Sequence, residues 1–183
     1  FVDGLRNRII YVREDHSQEG EAVNTLVALY MDDESEGTIL AEGADFYSSP
    51  SLSPDGSSVA WIQWNHPNMP WDSTELWVAD ISETGTFENQ RKLKGAQGES
   101  ICHPRWSPDG LLYFVSDASG WWNIYRYPDN HLTRSTNLTP MQAEFTQAQW
   151  GLGSRYYGFL SKDHIICAYD INGKWSLAEL EVN

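Results

Sequence analysis

Pro50-Ser51-Leu52-Ser53-Pro54-Asp55-Gly56 returns 54 residues later as Pro104-Arg105-Trp106-Ser107-Pro108-Asp109-Gly110, and Ala148-Gln149-Trp150-Gly151-Leu152-Gly153-Ser154 is a degenerate third copy. Self-similarity at a period of some tens of residues restricts a chain to repeat architectures, in which each unit buries its apolar surface on the next. Within the repeat, Ser-Pro-Asp-Gly suits a type I turn. Ser accepts a hydrogen bond at the first position, Pro presets φ at the second, Asp tolerates the bridge region and Gly closes the turn. Such a turn joins two antiparallel strands.

Apolar runs follow the turns at 58–64, 111–116 and 156–161, and 7–13 is an earlier member behind the turn remnant Asp3-Gly4. A second run comes after each, at 25–31, 75–81, 122–127 and 164–171, then a shorter one at 37–41, 90–94, 135–139 and 175–182. Asn172-Gly173 is a two-residue hairpin signal, because both residues accept positive φ. The unit is therefore a four-strand antiparallel meander recurring every 44 to 54 residues, dividing the chain at about 1–45, 46–95, 96–140 and 141–183. The first unit is expected to lack its innermost strand and the other three to be complete.

Several runs are apolar at consecutive positions, such as Val59-Ala60-Trp61-Ile62 and Leu111-Leu112-Tyr113-Phe114-Val115, so both faces of their sheets must be covered. A sandwich leaves one face of each sheet wet, whereas a β-propeller packs every blade between two neighbours. The 9 Trp residues suit the gaps between twisted sheets. The predicted fold is all-β, a partial β-propeller of about three to four blades. That number lies at or below the roughly four to eight of closed rings, so an arc of a larger ring is expected. No window sustains helical periodicity without a Gly or Pro interruption.

A net charge of −14 opposes binding to nucleic acid and to anionic membranes. No segment approaches the roughly 18 apolar residues of a membrane span. Two cysteines, Cys102 and Cys167, are too few for a disulfide scaffold, and a reducing cytoplasmic setting is expected. The start, Phe-Val-Asp-Gly, has no signal-peptide character and no Met, as an excised segment would have.

The turns resemble, together with the segment Trp61-Ile62-Gln63-Trp64-Asn65-His66-Pro67-Asn68-Met69-Pro70-Trp71-Asp72 and Leu76-Trp77-Val78, the propeller of dipeptidyl aminopeptidase and acylaminoacyl-peptidase-like enzymes in the prolyl oligopeptidase family of serine peptidases. Trp106 to Gly110, Phe114 to Asp117 and Gly120-Trp121-Trp122-Asn123-Ile124-Tyr125-Arg126 extend the resemblance over nearly the whole chain. Ser-Pro-Asp-Gly also occurs in TolB-like propellers that bind proteins, so the 66–72 segment carries most of the peptidase assignment. Membership implies a separate α/β-hydrolase domain with a Ser, Asp and His triad, over whose active site the propeller lies. The implied partners are that hydrolase domain and small peptide substrates.

The chain's own residues hold no nucleophile elbow: Gly98-Glu99-Ser100-Ile101-Cys102 and Gly56-Ser57-Ser58-Val59-Ala60 lack the final Gly of Gly-x-Ser-x-Gly. No catalytic residue is assigned, and His16, His66, His103, His131 and His164 are left without a role. Cys102, His103, His164 and Cys167 match no common zinc spacing. Asp32-Asp33-Glu34-Ser35-Glu36-Gly37 departs from a calcium loop, having Gly43 where the twelfth-position Glu belongs. No metal or cofactor is expected. Substrate contact is assigned to the proline-restrained loop 65–73, through His66, Met69, Trp71 and Asp72, and to Trp121 and Trp122. Glu99 is a candidate for a substrate ammonium group. Terminal blades with uncovered apolar faces are expected to self-associate.

Overall fold

The computed structural model describes every residue except Asp33, Glu34, Asn130, Leu152 and Asn183, so parts of the acidic 32–37 segment and of the third turn copy lie outside the described residues. Among the described residues there is no helix. The chain forms successive antiparallel sheets whose strands neighbour one another in chain order. The first contains β1 (Val2–Asp3), β2 (Arg8–Asp15), β3 (Val23–Tyr30) and β4 (Thr38–Ala41). The second contains β5 (Phe46–Leu52), β6 (Ser58–Trp64), β7 (Glu75–Ile81) and β8 (Phe87–Lys94). The third contains β9 (Ile101–Trp106), β10 (Leu112–Ser116), β11 (Asn123–Arg126) and β12 (Thr136–Asn137). The fourth has three strands: β13 (Tyr157–Phe159), β14 (His164–Ile171) and β15 (Lys174–Glu181).

The short unit is the fourth, not the first as the sequence pattern implied. The first sheet has an inner strand, the two-residue β1, paired through Val2 with Ile9 and Asp3 with Arg8. The fourth sheet is the one without a full inner strand. Its degenerate turn lacks the Pro and Asp that fold the other two, and its inner segment contributes only a bridge between Glu144 and Asp170.

Where the turn residues are intact, they build the same hairpin twice. Gly56 N donates to Ser53 O at 2.9 Å and Gly110 N to Ser107 O at 2.9 Å. Both glycines have positive φ, 72° and 84°, the left-handed conformation that a side chain disfavours. Ser53 Oγ and Ser107 Oγ each donate at 2.6 Å to the turn aspartate, Asp55 or Asp109. The Ser53 and Ser57 hydrogen bonds hold the Asp55 carboxyl below its usual range. Asn172 and Gly173 take φ of 55° and 81°, joining β14 to β15 as a primed hairpin.

Alternation along the consecutive apolar runs shows why two faces had to be dry. Val59 and Trp61 pack into a core between the first and second sheets, whereas Ala60, Ile62 and Trp64 pack into the core between the second and third. Leu112 and Phe114 join that second core, and Tyr113 and Val115 belong to a third core shared with the fourth sheet. The period of two along each strand thus feeds two interfaces. Each core joins two consecutive sheets, and none joins the fourth to the first, so the described blades form an open arc.

Hydrogen bonds cross the same interfaces. Arg8, 1% exposed in its side chain, donates from Nε to Asp3 Oδ2 at 2.8 Å and from Nη1 to the Gly85 carbonyl of the second blade at 2.6 Å. Arg6 reaches the Gly56 carbonyl at 3.1 Å. The Arg8 guanidinium also lies over the Tyr30 ring, 5.8 Å from its centroid. Gly85 has φ of 85°, and a Cβ there would meet Arg8 Nη1 at 2.7 Å.

Removing one partner of a buried ion pair strands the other, so Arg8→Ala is expected to lower stability by about 3–5 kcal/mol in urea unfolding. Gly85→Ala, strained in its backbone and pressed on Arg8, should cost about 1–3 kcal/mol by the same measurement. An unchanged urea midpoint for both variants would refute a stabilising role for the Arg8 contacts with Asp3 and Gly85.

Candidate functional site

Strand direction sorts the connections. The Ser-Pro-Asp-Gly turns lie at one end of the arc, and the loops between second and third strands lie at the other, beside the crossings from one blade to the next. His66, Met69, Trp71 and Asp72 occupy the 65–74 loop between β6 and β7, Glu99 the crossing from β8 to β9, and Trp121 and Trp122 the loop from β10 to β11. All seven sequence candidates therefore share one end.

The 65–74 loop is held from inside and from both flanks. Asp72 Oδ2 accepts from Met69 N at 2.9 Å. His66 N donates to Asp45 Oδ2 at 2.9 Å, and its ring Nε2 lies 2.7 Å from Glu21 Oε2, linking the first and second blades. On the opposite side Ser100 Oγ donates to Pro70 O at 2.9 Å, and Thr74 N to Glu99 O at 2.9 Å. These bonds turn a ten-residue connection into a fixed surface.

Glu99 is only 7% exposed. Its Oε1 accepts from Ser116 Oγ at 2.6 Å and faces Lys94 Nζ at 3.0 Å, while Oε2 accepts from Ala96 N at 3.2 Å. Both oxygens are engaged within the protein, which favours a role in fixing the crossing over contact with a substrate ammonium. Nearby, Asp117 Oδ1 accepts from Ser100 N at 2.7 Å, and burial pushes its carboxyl upward.

Trp121 and Trp122 stand one blade further on, in the turn ahead of β11 rather than on the strand. Trp121 is exposed, and Trp122 packs against the core between third and fourth sheets. Glu144 Oε2 accepts from Trp122 N at 2.8 Å. This pair is not brought to Trp71.

Trp150 is the residue brought there, and sequence reasoning missed it. It sits in the degenerate turn copy at the position of Leu52 and Trp106, yet its ring lies 4.3 Å from Trp71, at 42°. Its 82% exposure rules out a packing explanation. Phe46 stacks on Trp64 at 5.3 Å and meets the His66 ring edge-on at 4.9 Å. Between these groups opens a cleft of about 300 Å³, lined by Phe46, Trp64, Met69, Trp71 and Trp150, with Glu14 and Gln149 among its polar residues. The signal was available: a tryptophan retained in a turn that has lost its turn residues has no local reason to be there.

Near the axis, Ser49 and His103 occupy matching bulges in β5 and β9, both with φ of 53°. Positive φ is uncommon outside glycine, and bulges of this kind re-aim side chains. His103 Nε2 lies 2.9 Å from Thr146 Oγ1. Burial, with a smaller contribution from Arg105, pushes its pKa down to about 4. The five histidines show no common arrangement: His66 and His164 meet Glu21 and Glu179, and His16 meets Glu14. Cys102 and Cys167 are free and buried, and burial raises both thiols. Among the described residues no group of three or more His, Cys, Asp and Glu could hold a metal ion, and no helix is long and apolar enough to cross a membrane.

Successive stacked antiparallel meanders define a β-propeller, and comparison with solved structures agrees. A puromycin hydrolase is 32% identical over 99% of this chain and 28% of its own, with a TM-score of 0.91. A puromycin-hydrolyzing peptidase of Mycobacterium tuberculosis is 31% identical over 94% of this chain and 28% of its own, at 0.82. At the level of fold alone, prolyl oligopeptidase B from Galerina marginata (13% identical, 96% of this chain, 24% of its own, TM-score 0.73) and TolB from Acinetobacter baumannii (20%, 97%, 39%, 0.65) also match. These neighbours are consistent with the N-terminal propeller of a prolyl oligopeptidase family peptidase. It spans less than a third of the length of the puromycin-hydrolysing structures. No family model and no curated protein matches it.

His103 generates a pH prediction. Its folded pKa lies below the unfolded value near 6.5, so the unfolded chain binds the extra proton between those limits. Stability contributed by the neutral ring is complete above about pH 6.5 and is lost as the pH falls toward 4. Urea midpoints measured from pH 7 to 4.5 should fall more steeply for the natural chain than for His103→Gln; parallel curves would contradict the assignment.

Proposed function

We propose that the chain is the noncatalytic propeller portion of a serine peptidase, gating the access of small peptides to a separate hydrolase domain. The observation that carries this reading is the agreement at 31–32% identity with two puromycin-hydrolysing structures over nearly all of this chain but only 28% of theirs. Such a proportion fits a domain that shapes an entrance while the remaining sequence of those proteins supplies other parts. Action on dipeptidyl or aminoacyl peptides, with the hydrolase domain as partner, belongs to the same proposal. The substrate-facing end is the one bearing His66, Met69, Trp71, Asp72, Trp121 and Trp122. Two free buried thiols are compatible with a reducing compartment such as the cytoplasm. A stand-alone interaction propeller like TolB has the support of fold alone, at 20% identity.

The uncovered face of the fourth blade carries Ile166, Trp175 and Leu177, all exposed. We read it as a docking face for a neighbouring blade or, in the isolated chain, for another copy. Concentration-dependent sedimentation is the expected result, and a monodisperse monomer at high concentration would count against it.

The main test is activity. The purified 183-residue chain should not hydrolyse aminoacyl or dipeptidyl chromogenic substrates. Turnover abolished by a serine-directed reagent would overturn the noncatalytic assignment.

A further inference from the structure

We infer that the groove along the inner strands of the four blades, at Arg105 and Arg155, is a binding site for one carboxylate, the C-terminal carboxylate of a short peptide. This goes beyond the gating proposal by adding an anion site away from the 65–74 loop, and it rests on that proposal only for the statement that the carboxylate belongs to a peptide.

Position sets the first limit. The groove draws its walls from Val2 of β1, from β5, from Arg105 of β9 and from Tyr157 of β13, so every blade contributes its innermost strand. Its volume of about 520 Å³ falls inside the roughly 300–1,000 Å³ typical of small-ligand pockets, which admits the end of a peptide and excludes a folded segment. Contacts with other lining residues place both guanidinium groups at the groove. Arg105 Nη1 donates to Tyr157 O at 2.9 Å. Arg155 lies near enough to the Phe1 amino group to add to the lowering of its pKa by burial. That nitrogen itself donates to Ile10 O at 2.7 Å.

Charge sets the second. No Asp or Glu lines the groove, in a chain that has 26 of them. Asp3 and Asp55, which follow closely on lining residues in the chain, are engaged elsewhere, with Arg8 and with Ser53 and Ser57. Among the described residues neither Arg105 nor Arg155 has a carboxylate within ion-pair distance, although Arg6, Arg8, Lys92, Lys94 and Lys162 all do. Two guanidinium groups at one groove without a counter-charge favour an oxyanion, and each presents the paired N–H donors that a carboxylate accepts. The net charge of −14 works against every anion, more strongly against a phosphate dianion than against a carboxylate, whereas the arginines act at close range, within the Debye length of about 8 Å at physiological salt. A peptide also supplies a body to cover Pro50, Leu52 and Tyr156 of the same walls, which a bare ion leaves wet.

The test is calorimetric titration of the full chain with N-acetyl-alanyl-alanine, its C-terminal carboxamide and inorganic phosphate. The free carboxylate should bind saturably, about tenfold tighter than the carboxamide or phosphate, and added salt should weaken it. Arg105→Gln and Arg155→Gln should each weaken it about tenfold, and Arg155→Lys, which keeps the charge and loses the paired donors, should fall between. Because Arg155 is exposed, Arg155→Gln should keep the natural urea midpoint, which separates loss of the site from loss of the fold. Trp71→Ala should leave the affinity unchanged, which separates this groove from the aromatic cleft. Equal binding of the carboxamide, phosphate binding as tightly as the peptide, indifference to both Arg→Gln substitutions, or no saturable binding would each overturn the carboxylate site. Those outcomes leave the gating proposal standing, whereas hydrolysis by the chain alone would sink gating without touching the groove.

Discussion

Each central strand of this chain carries apolar side chains on both faces, and dehydrating both at once is possible only if a sheet has another sheet on either side. Trp61 shows how this is met. It is fully buried, stacked at 6.1 Å on Trp77 of its own blade and at 5.7 Å on Phe87, and shares a core with Ile10, Leu26 and Ala28 of the preceding blade. One residue along, Ala60 and Ile62 face the following blade. Burial of an aromatic core residue is worth several kcal/mol, and stacking the blades realises that gain twice per strand.

Stacking by apolar area is tolerant of sliding, and the polar bonds remove that freedom. Arg8 and Arg6 reach turn carbonyls of the second blade. Trp106 Nε1 donates to Ser51 O across the second interface, and Arg105 Nη1 to Tyr157 O across the third. Each bond ties a side chain of one blade to the backbone of another, so the blades are fixed in height as well as in order. At the opposite end of the arc the same logic fixes the 65–74 loop, through Asp45, Ser100 and Glu99. The candidate site is therefore a by-product of how neighbouring blades are pinned.

Much of the fold was legible because its signals are local. β6, β7 and β14 run over the residues that their patterns mark, and Asn172-Gly173 takes the backbone its two residues permit. The fourth blade was misread for a physical reason: a turn without Pro and Asp no longer presets its hairpin, and the inner strand that should lead into it does not form. The first blade was misread in the opposite sense, since two paired residues, Val2 and Asp3, leave no periodic pattern to detect. For the site, the sequence pointed to the 65–73 loop by composition. It could not tell that Glu99 is buried against Lys94 and Ser116, nor that Trp150 meets Trp71, because both facts depend on residues brought together from different blades.

By itself, the sequence determined the repeated meander, the turn chemistry and the demand for two dry faces, since these follow from neighbours along the chain and from a period of two. Tertiary structure alone decided which blade is short, how Arg8 spans the first interface and which aromatic rings converge on a cleft. Those outcomes are set by distances between residues tens of positions apart. Such distances are fixed only when twisted sheets pack, at an angle and height that side-chain volume and a few cross-blade hydrogen bonds select.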